Sequence, residues 1–400
     1  MDEVLKFAIE NGMIDLSYIQ DEIAMKKREE LLKRHKWAIS QGKDGYWRTY
    51  LPDEKNGRKM VKKNTRKDVE DVVIDYYKTQ EEKEKTFIDV YWMWRSVQDK
   101  MVSENTTCKY ETDFKRYFSK SEFASSKIVD INEDDIKLFI VDKIKQLSLC
   151  QKASKTLFGY IKNTFLHAVN HKIIKEDPTR LLTAKDFYKY CTRKRKSAKD
   201  QIISDKDMQL LSDKINQDHK YHPEYIPAYA VQLAFFTGMR VGEISALTWN
   251  DITEDSIIID KSEKYNRKTK EYYIDGTKNG KERVFPMTIQ IKKLLDNVKM
   301  VEMKNGFICE FVFANEEGRV HAPVISSCIK NKCRQIGIEE KGIHACRKTL
   351  NSRMRCDGVS ATMAASLLGH SPEVNEQYYT FDVSTIKEKA KIIEKVTKVI

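Results

Sequence analysis

The chain has 400 residues, room for two or three domains, and its 72 Lys+Arg against 60 Asp+Glu give a formal net charge of +12. No stretch approaches the ~20 consecutive apolar residues of a membrane span, and the start MDEVLKFAIENG has acidic residues where a signal peptide carries basic ones. The excess of positive charge favours a polyanionic partner, nucleic acid or a membrane surface, without choosing between them. Eight cysteines without a CxxC pair and eight scattered histidines predict reduced thiols and no metal site.

Residues 1–34 read as helix, because MKKREELLKR lacks Gly and Pro and spaces its apolar positions along one face. The period then changes. Stretches 35–40, 45–51 and 58–63 alternate like short strands and are separated by QGKDG and PDEKNG, both with turn chemistry. TRKDVEDVVIDYYK follows as a helix with Val69, Val72, Val73 and Tyr76 on one face. Three small strands on one helix make a module whose sheet carries Trp47, Arg48, Tyr50, Arg58, Lys59, Lys62 and Lys63. Basic residues interleaved with aromatics suit a DNA groove; a solvated charged face explains them equally well.

QEEKEK at 80–85 reads as a polar connector. Four helices are expected beyond it. The first follows Thr86 with Phe87, Val90, Tyr91 and Trp94; the others cover about 105–118, 132–146 and 151–172. The run Arg193-Lys194-Arg195-Lys196 reads as a linker able to lie against phosphates, and a domain boundary is expected near residue 200. A mixed region follows, with helices at 205–215, 225–237 and on to 247, strands at 256–261, 270–275 and 282–286, and helices at 288–299, 322–336 and 346–356. Two short helices flank Gly369-His370. Residues 384–400 form an amphipathic helix with Ile386, Ile393 and Ile400 at heptad spacing.

Four separated pieces carry the chemistry. They are Thr237-Gly238-Met239-Arg240-Val241-Gly242-Glu243, Lys278-Asn279-Gly280 before KERVF, His344-Ala345-Cys346-Arg347, and Leu367-Leu368-Gly369-His370 with Tyr379 nine residues beyond the histidine. Each piece alone has a structural explanation, such as a cap, a turn or a helix end meeting a histidine. The order and spacing of the set resemble those of the tyrosine recombinases, the family of phage and conjugative-transposon integrases. The family's T-G-x-R-x-x-E segment is matched by Arg240 and Glu243. Its H-x-x-R segment is matched by His344 and Arg347, and its L-G-H plus nucleophile by His370 and Tyr379. Its hairpin-tip lysine is matched by Lys278, with Lys281 as the alternative because an extra stretch around KYNRKTKEYY precedes it.

The resemblance implies a mainly α protein with small β-sheets (α+β) in three domains. These are residues 1–80, an N-terminal helix with an arm-type DNA-binding β module; 81–182, a helical core-binding domain; and 204–383, a mixed α/β catalytic domain. A basic linker at 183–203 and a protomer-exchanging helix at 384–400 complete it. The implied reaction is DNA transesterification through a 3′-phosphotyrosyl link, without cofactor. Arg240 and Arg347 would clamp the phosphate oxygens, His344 accept the Tyr379 proton, Lys278 protonate the 5′ oxygen, His370 hydrogen-bond the phosphate and Glu243 orient Arg240. Tyr378 points about 100° away on a helix, so the nine-residue spacing selects Tyr379. The expected partners are double-stranded DNA at core-type and arm-type sites, further copies of the chain as a tetramer, an excisionase and a host DNA-bending protein. The expected location is the bacterial cytoplasm, with the nucleoid. Type IB topoisomerase-like relaxation and a catalytically silent DNA-binding regulator are the alternatives.

Overall fold

The computed structural model describes residue 11 and residues 16–53, 57–192, 198–277, 280–382 and 386–397. The chain divides into two compact units, Met1–Arg193 and Lys194–Ile400. The fold is mainly α with small sheets, as the sequence predicts.

The first unit opens with α1 (Leu16–Lys33), followed by β1 (Ser40–Gln41), β2 (Trp47–Asp53) and β3 (Gly57–Lys63) in one antiparallel sheet of order β1-β2-β3. The predicted first strand at 35–40 shrinks to the β1 pair. His35 is used for packing instead: its ring meets Trp37 and Tyr77, and its Nε2 lies 2.6 Å from Thr49 Oγ1. α2 (Arg66–Glu84) is capped by Thr65 and buries Val69, Val73 and Ile74. It runs through the expected connector at 80–85, because QEEKEK contains only good helix formers and nothing that breaks a helix.

The helical part comprises α3 (Phe87–Gln98), α4 (Glu104–Tyr117), α5 (Glu133–Leu147) and α6 (Gln151–Asn170). Capping boxes at Thr86/Asp89 and Asn132/Asp135 fix where α3 and α5 begin. Phe87, Tyr91, Phe118 and Phe165 are fully buried, and the Phe87 ring lies 5.4 Å from Phe118 and 5.8 Å from Phe165. Arg95 is buried with them and forks onto Asp99 at 2.9 and 3.0 Å, so its charge enters the core paired. A 3₁₀ helix at Ala184–Tyr190 inserts Phe187 into this core, and the Thr192 N–H donates to the Leu149 carbonyl at 3.0 Å. On the far side, Ile203 is buried in the second unit and its N–H donates to Thr349 Oγ1 at 2.8 Å. Both ends of the expected 183–203 linker are therefore folded. Arg193, Lys194, Arg195 and Lys196 lie outside the described residues.

The second unit packs α7 (Asp205–Tyr221), α8 (Pro227–Thr237), α9 (Val241–Ala246), α10 (Ile289–Asn305), α11 (Ala322–Gln335), α12 (His344–Cys356) and α13 (Ala361–Leu368) around one apolar core. α8 is its centre, with Ala228, Ala230, Val231, Leu233 and Ala234 all buried. β4 (Ser256–Ile259) pairs with β7 (Arg283–Pro286), and β5 (Lys261–Asn266) with β6 (Glu271–Gly276), so four strands stand where three were expected. The 314–315/318–319 pair adds a small β ladder. α14 (Ile386–Thr397) leaves Ile386 86% and Ile393 62% exposed.

Truncating Phe87 to Ala should cost about 3–5 kcal/mol, the usual range for a fully buried aromatic. Hydrogen exchange on the intact chain should then show protection lost over residues 87–190 and kept over 205–380. Equal loss in both regions would contradict two separate cores.

Candidate active site

Three of the four sequence pieces meet at the C-terminal end of α13. That helix stops because Gly369 adopts a left-handed conformation (φ +68°), leaving its last carbonyls without helical partners. Arginines take them. The Leu368 carbonyl accepts from Arg347, and the Gly369 carbonyl accepts from Arg240 at 3.0 Å. The second nitrogen of Arg347 donates to the Gly238 carbonyl at 2.9 Å. Gly238 closes α8 at φ +60°, and a Cβ there would lie 2.8 Å from Leu368 and 3.4 Å from the Arg347 backbone. The TGMR turn, α12 and the LLGH turn are thereby locked together.

Glu243, in the first turn of α9, is fully buried. Its carboxylate accepts the Arg240 guanidinium and the Arg240 backbone N–H, each at 2.8 Å. Arg283 on β7 supplies a second guanidinium, at 3.1 and 2.6 Å, and its Nε donates to the Leu367 carbonyl at 3.0 Å. Burial alone would raise the Glu243 pKa, but the hydrogen bond and charge of Arg283, with those of Arg240, hold it below the ordinary carboxylate value.

Tyr379 sits in a π-helical turn, Asn375–Tyr379. Its ring stacks on His370 at 4.5 Å between centroids, meets the His344 ring edge-on at 5.3 Å, and lies 5.4 Å from the Arg347 guanidinium carbon. Tyr378 points away and is 56% exposed. The two guanidiniums differ. Arg240 retains some exposure, whereas Arg347 is wholly buried with no carboxylate in ion-pair range among the described residues, and its Nε has no partner there. Burial, then the charge of Arg240, pulls the Arg347 pKa below its ordinary value. Both His370 ring nitrogens are buried and unpartnered among the described residues. Burial and the charges of Arg347 and Arg240 push its pKa down to about 4, so the imidazole is neutral at pH 7. A buried cation and an unpartnered neutral imidazole beside a phenol form a receptor for an anionic oxygen.

Lys278 and Asn279, the expected hairpin tip, lie outside the described residues; of the flanking strands, β6 pairs with β5 and β7 with β4. The tip lies between Asn266 and Glu271, and Ile259 pairs with Arg283 while Lys261 pairs with Gly276. The extra stretch KYNRKTKEYY builds the β5–β6 ladder at the far end of this long hairpin. Lys281 is exposed, and its carbonyl accepts from Thr277 Oγ1 at 2.8 Å.

Of the N-terminal candidates, Arg48, Tyr50 and Arg58 share the outer face of the sheet with Lys62; Arg58 lies 4.5 Å over the Tyr50 ring, and Arg48 is paired with Asp44. Trp47 and Lys59 have the opposite parity, that of buried Thr49 and Leu51, and do not join that face.

Sequence reasoning missed Arg283, Asn351, Ser352 and Asn375. Asn351 and Asn375 exchange amide hydrogen bonds at 2.6 and 3.2 Å, and Ser352 Oγ donates to the Tyr379 carbonyl at 3.1 Å while accepting the Phe381 N–H at 3.0 Å. The available signal was that Asn351 lies one turn past Arg347, on its face of the helix.

Arginines, histidines and a tyrosine are thus gathered at a helix end on a mainly helical domain. Residues 201–383 match the model of the phage integrase family. A XerC-like tyrosine recombinase of Caldanaerobacter subterraneus subsp. tengcongensis is 26% identical over 314 residues, covering 72% of this chain and 76% of that protein. A tyrosine recombinase XerC of Roseiflexus castenholzii is 22% identical over 70% of this chain and 84% of its own. Among solved structures, the Tn1549 transposon integrase bound to circular-intermediate DNA superposes with TM-score 0.61 at 19% identity, covering 78% of this chain and 99% of that one. A lambda integrase tetramer on a Holliday junction superposes with TM-score 0.54 at 16% identity over 83% and 95%. Residues 201–383 thus match the phage integrase family, and the chain is similar to tyrosine recombinases over some 70% of its length.

The low pKa of His370 has a consequence for stability. Between its ordinary value of 6.5 and about 4, the unfolded chain binds a proton that the native site does not, so native stability falls as pH drops through that window. His219, buried against Tyr229, shifts the same way. Thermal melts of His370→Gln from pH 7 to 4.5 should show a shallower decline than the parent chain; an unchanged slope would contradict the buried neutral imidazole.

Proposed function

We propose that the chain cuts and rejoins DNA at specific sites with Tyr379 as the nucleophile, integrating and excising a mobile element. The observation that carries this reading is the Tyr379 ring held between His370 and His344 above the buried Arg347. The Tyr379 Oη attacks the scissile phosphorus, forming a P–O bond, and the P–O5′ bond breaks. The phenol proton passes to His344, and Lys278 protonates the departing 5′ oxygen. Arg240 and Arg347 hold the non-bridging oxygens with donors that stay charged at neutral pH, and His370 donates one hydrogen bond. A 5′ hydroxyl from a partner duplex then attacks the phosphotyrosyl link, restores the phosphodiester and returns the phenol. The energy of the broken bond is kept in the link, so rejoining needs no other energy source.

The domain division follows the same reading: 1–80 for arm-type sites, 81–182 for the core site with the second unit, and 204–383 for chemistry. Arg48, Tyr50, Arg58 and Lys62, on one face of the sheet, are the residues proposed for DNA contact in the arm module, and Arg193–Lys196 would lie against phosphates. Such contacts make binding strongly salt-dependent. α14 would dock on a neighbouring protomer in a tetramer on DNA, a reading supported by the exposure of Ile386 and Ile393. Control of direction by an excisionase and a host DNA-bending protein, and residence with the bacterial nucleoid, belong to the same proposal.

A nicked duplex whose cleavage product diffuses away traps the covalent intermediate. The parent chain should accumulate adduct at Tyr379, and Tyr379→Phe should bind the duplex with unchanged affinity and form none. Undiminished adduct in that variant would remove Tyr379 from its role. Deleting residues 384–400 should weaken synapsis of two duplexes far more than binding to one; equal effects would place α14 on its own domain.

A further inference from the structure

We infer that Arg283 is a positioning residue for strand transfer, which keeps Arg240 aimed and its positive charge uncompensated by neutralising Glu243. The inference rests on the strand-transfer reading of the site and concerns a residue outside the sequence motifs.

Carbonyls 367, 368 and 369 at the end of α13 each accept from a different arginine: Arg283, Arg347 and Arg240 in turn. Arg283 is the one of the three that comes from the long hairpin. It binds both Glu243 oxygens, so it reaches the TGMR segment as well as the LLGH segment. Its guanidinium also lies against Gly369, where an added Cβ would come within 3.0 Å. It therefore fixes the spacing between Arg240 and His370 without being placed to touch the phosphate itself.

Charge gives the second reason. A buried carboxylate with one cation beside it cancels that cation. Glu243 orients Arg240 through its side chain and its backbone N–H, and with no second cation it would also neutralise Arg240. Arg283 lies closer, 2.6 Å from Glu243 Oε2, and takes up the carboxylate charge. Arg240 is then held by Glu243 while its positive charge stays available to an incoming phosphate. Lysine cannot reproduce this arrangement, since one ammonium does not bridge two carboxylate oxygens and a carbonyl in fork geometry.

The test uses the full chain and single-turnover formation of the Tyr379 adduct on the nicked duplex, with duplex affinity measured alongside. Arg283→Gln should slow adduct formation by about 10–100-fold, the usual cost of losing a partner of a reacting group, with affinity within about 3-fold. Arg283→Lys should fall between it and the parent. Because the harm in Arg283→Gln comes from an unneutralised Glu243, the double variant Arg283→Gln/Glu243→Gln should be no slower than Arg283→Gln alone. A purely structural role would make the two losses multiply. Multiplying losses, a parent-like rate in Arg283→Lys, or affinity falling in step with rate would each overturn the inference while leaving the strand-transfer reading intact. A parent chain that forms no adduct would overturn both.

Discussion

The second unit depends on one electrostatic arrangement, three guanidiniums gathered at the end of a short helix around a single buried carboxylate. Bringing so much like charge together is costly unless acceptors surround it. The unmet carbonyls at the end of α13, the Gly238 carbonyl and Glu243 provide them. A helix C-terminus adds its own negative dipole, which favours cations within the last turn. The three cations still exceed the one carboxylate, and that surplus is the complement of an anionic group.

The apolar cores carry a different burden. The aromatic cluster around Phe87, Tyr91 and Phe118 and the aliphatic core around α8 are self-contained. Each unit therefore has an apolar core of its own. In the first unit Arg48, Arg58 and Lys62 lie on the outer face of a sheet whose inner face packs on α2. In the second, the hairpin from β4 to β7 is the one β structure that reaches the site, through Arg283 at its base.

Much of this was legible in the residues. Thr86, Asn132 and Ser204 announce helix starts because their side chains accept N–H groups left unmet in a first turn, and each does so. Gly369 and Gly238 announce helix ends for the complementary reason. What stayed hidden was non-local. No spacing rule places Arg283 against Glu243, forty residues earlier, and its neighbours in KERVF read as an ordinary strand. Asn351 and Ser352 look like exposed polar residues on a charged helix, and only the return of the chain at Asn375 buries them. The strand pairing was hidden for the same reason: β6 pairs with β5 and β7 with β4, which composition alone does not decide.

The hydrogen bonds of Ser352 to the Tyr379 carbonyl and the Phe381 N–H hold the Tyr379 backbone on its own α12. Phe381 and Ile386 are five residues apart, and a chain extends by at most about 3.6 Å per residue, so the tether is roughly 18 Å long at full stretch. The first residue of α14 must lie within that radius of Phe381, wherever the helix seats. A seat near the limit would draw the tether taut and load those two hydrogen bonds directly; a closer one would leave them slack. A short mechanical line thus joins α14 to Tyr379, and its length sets how strongly one could be felt at the other.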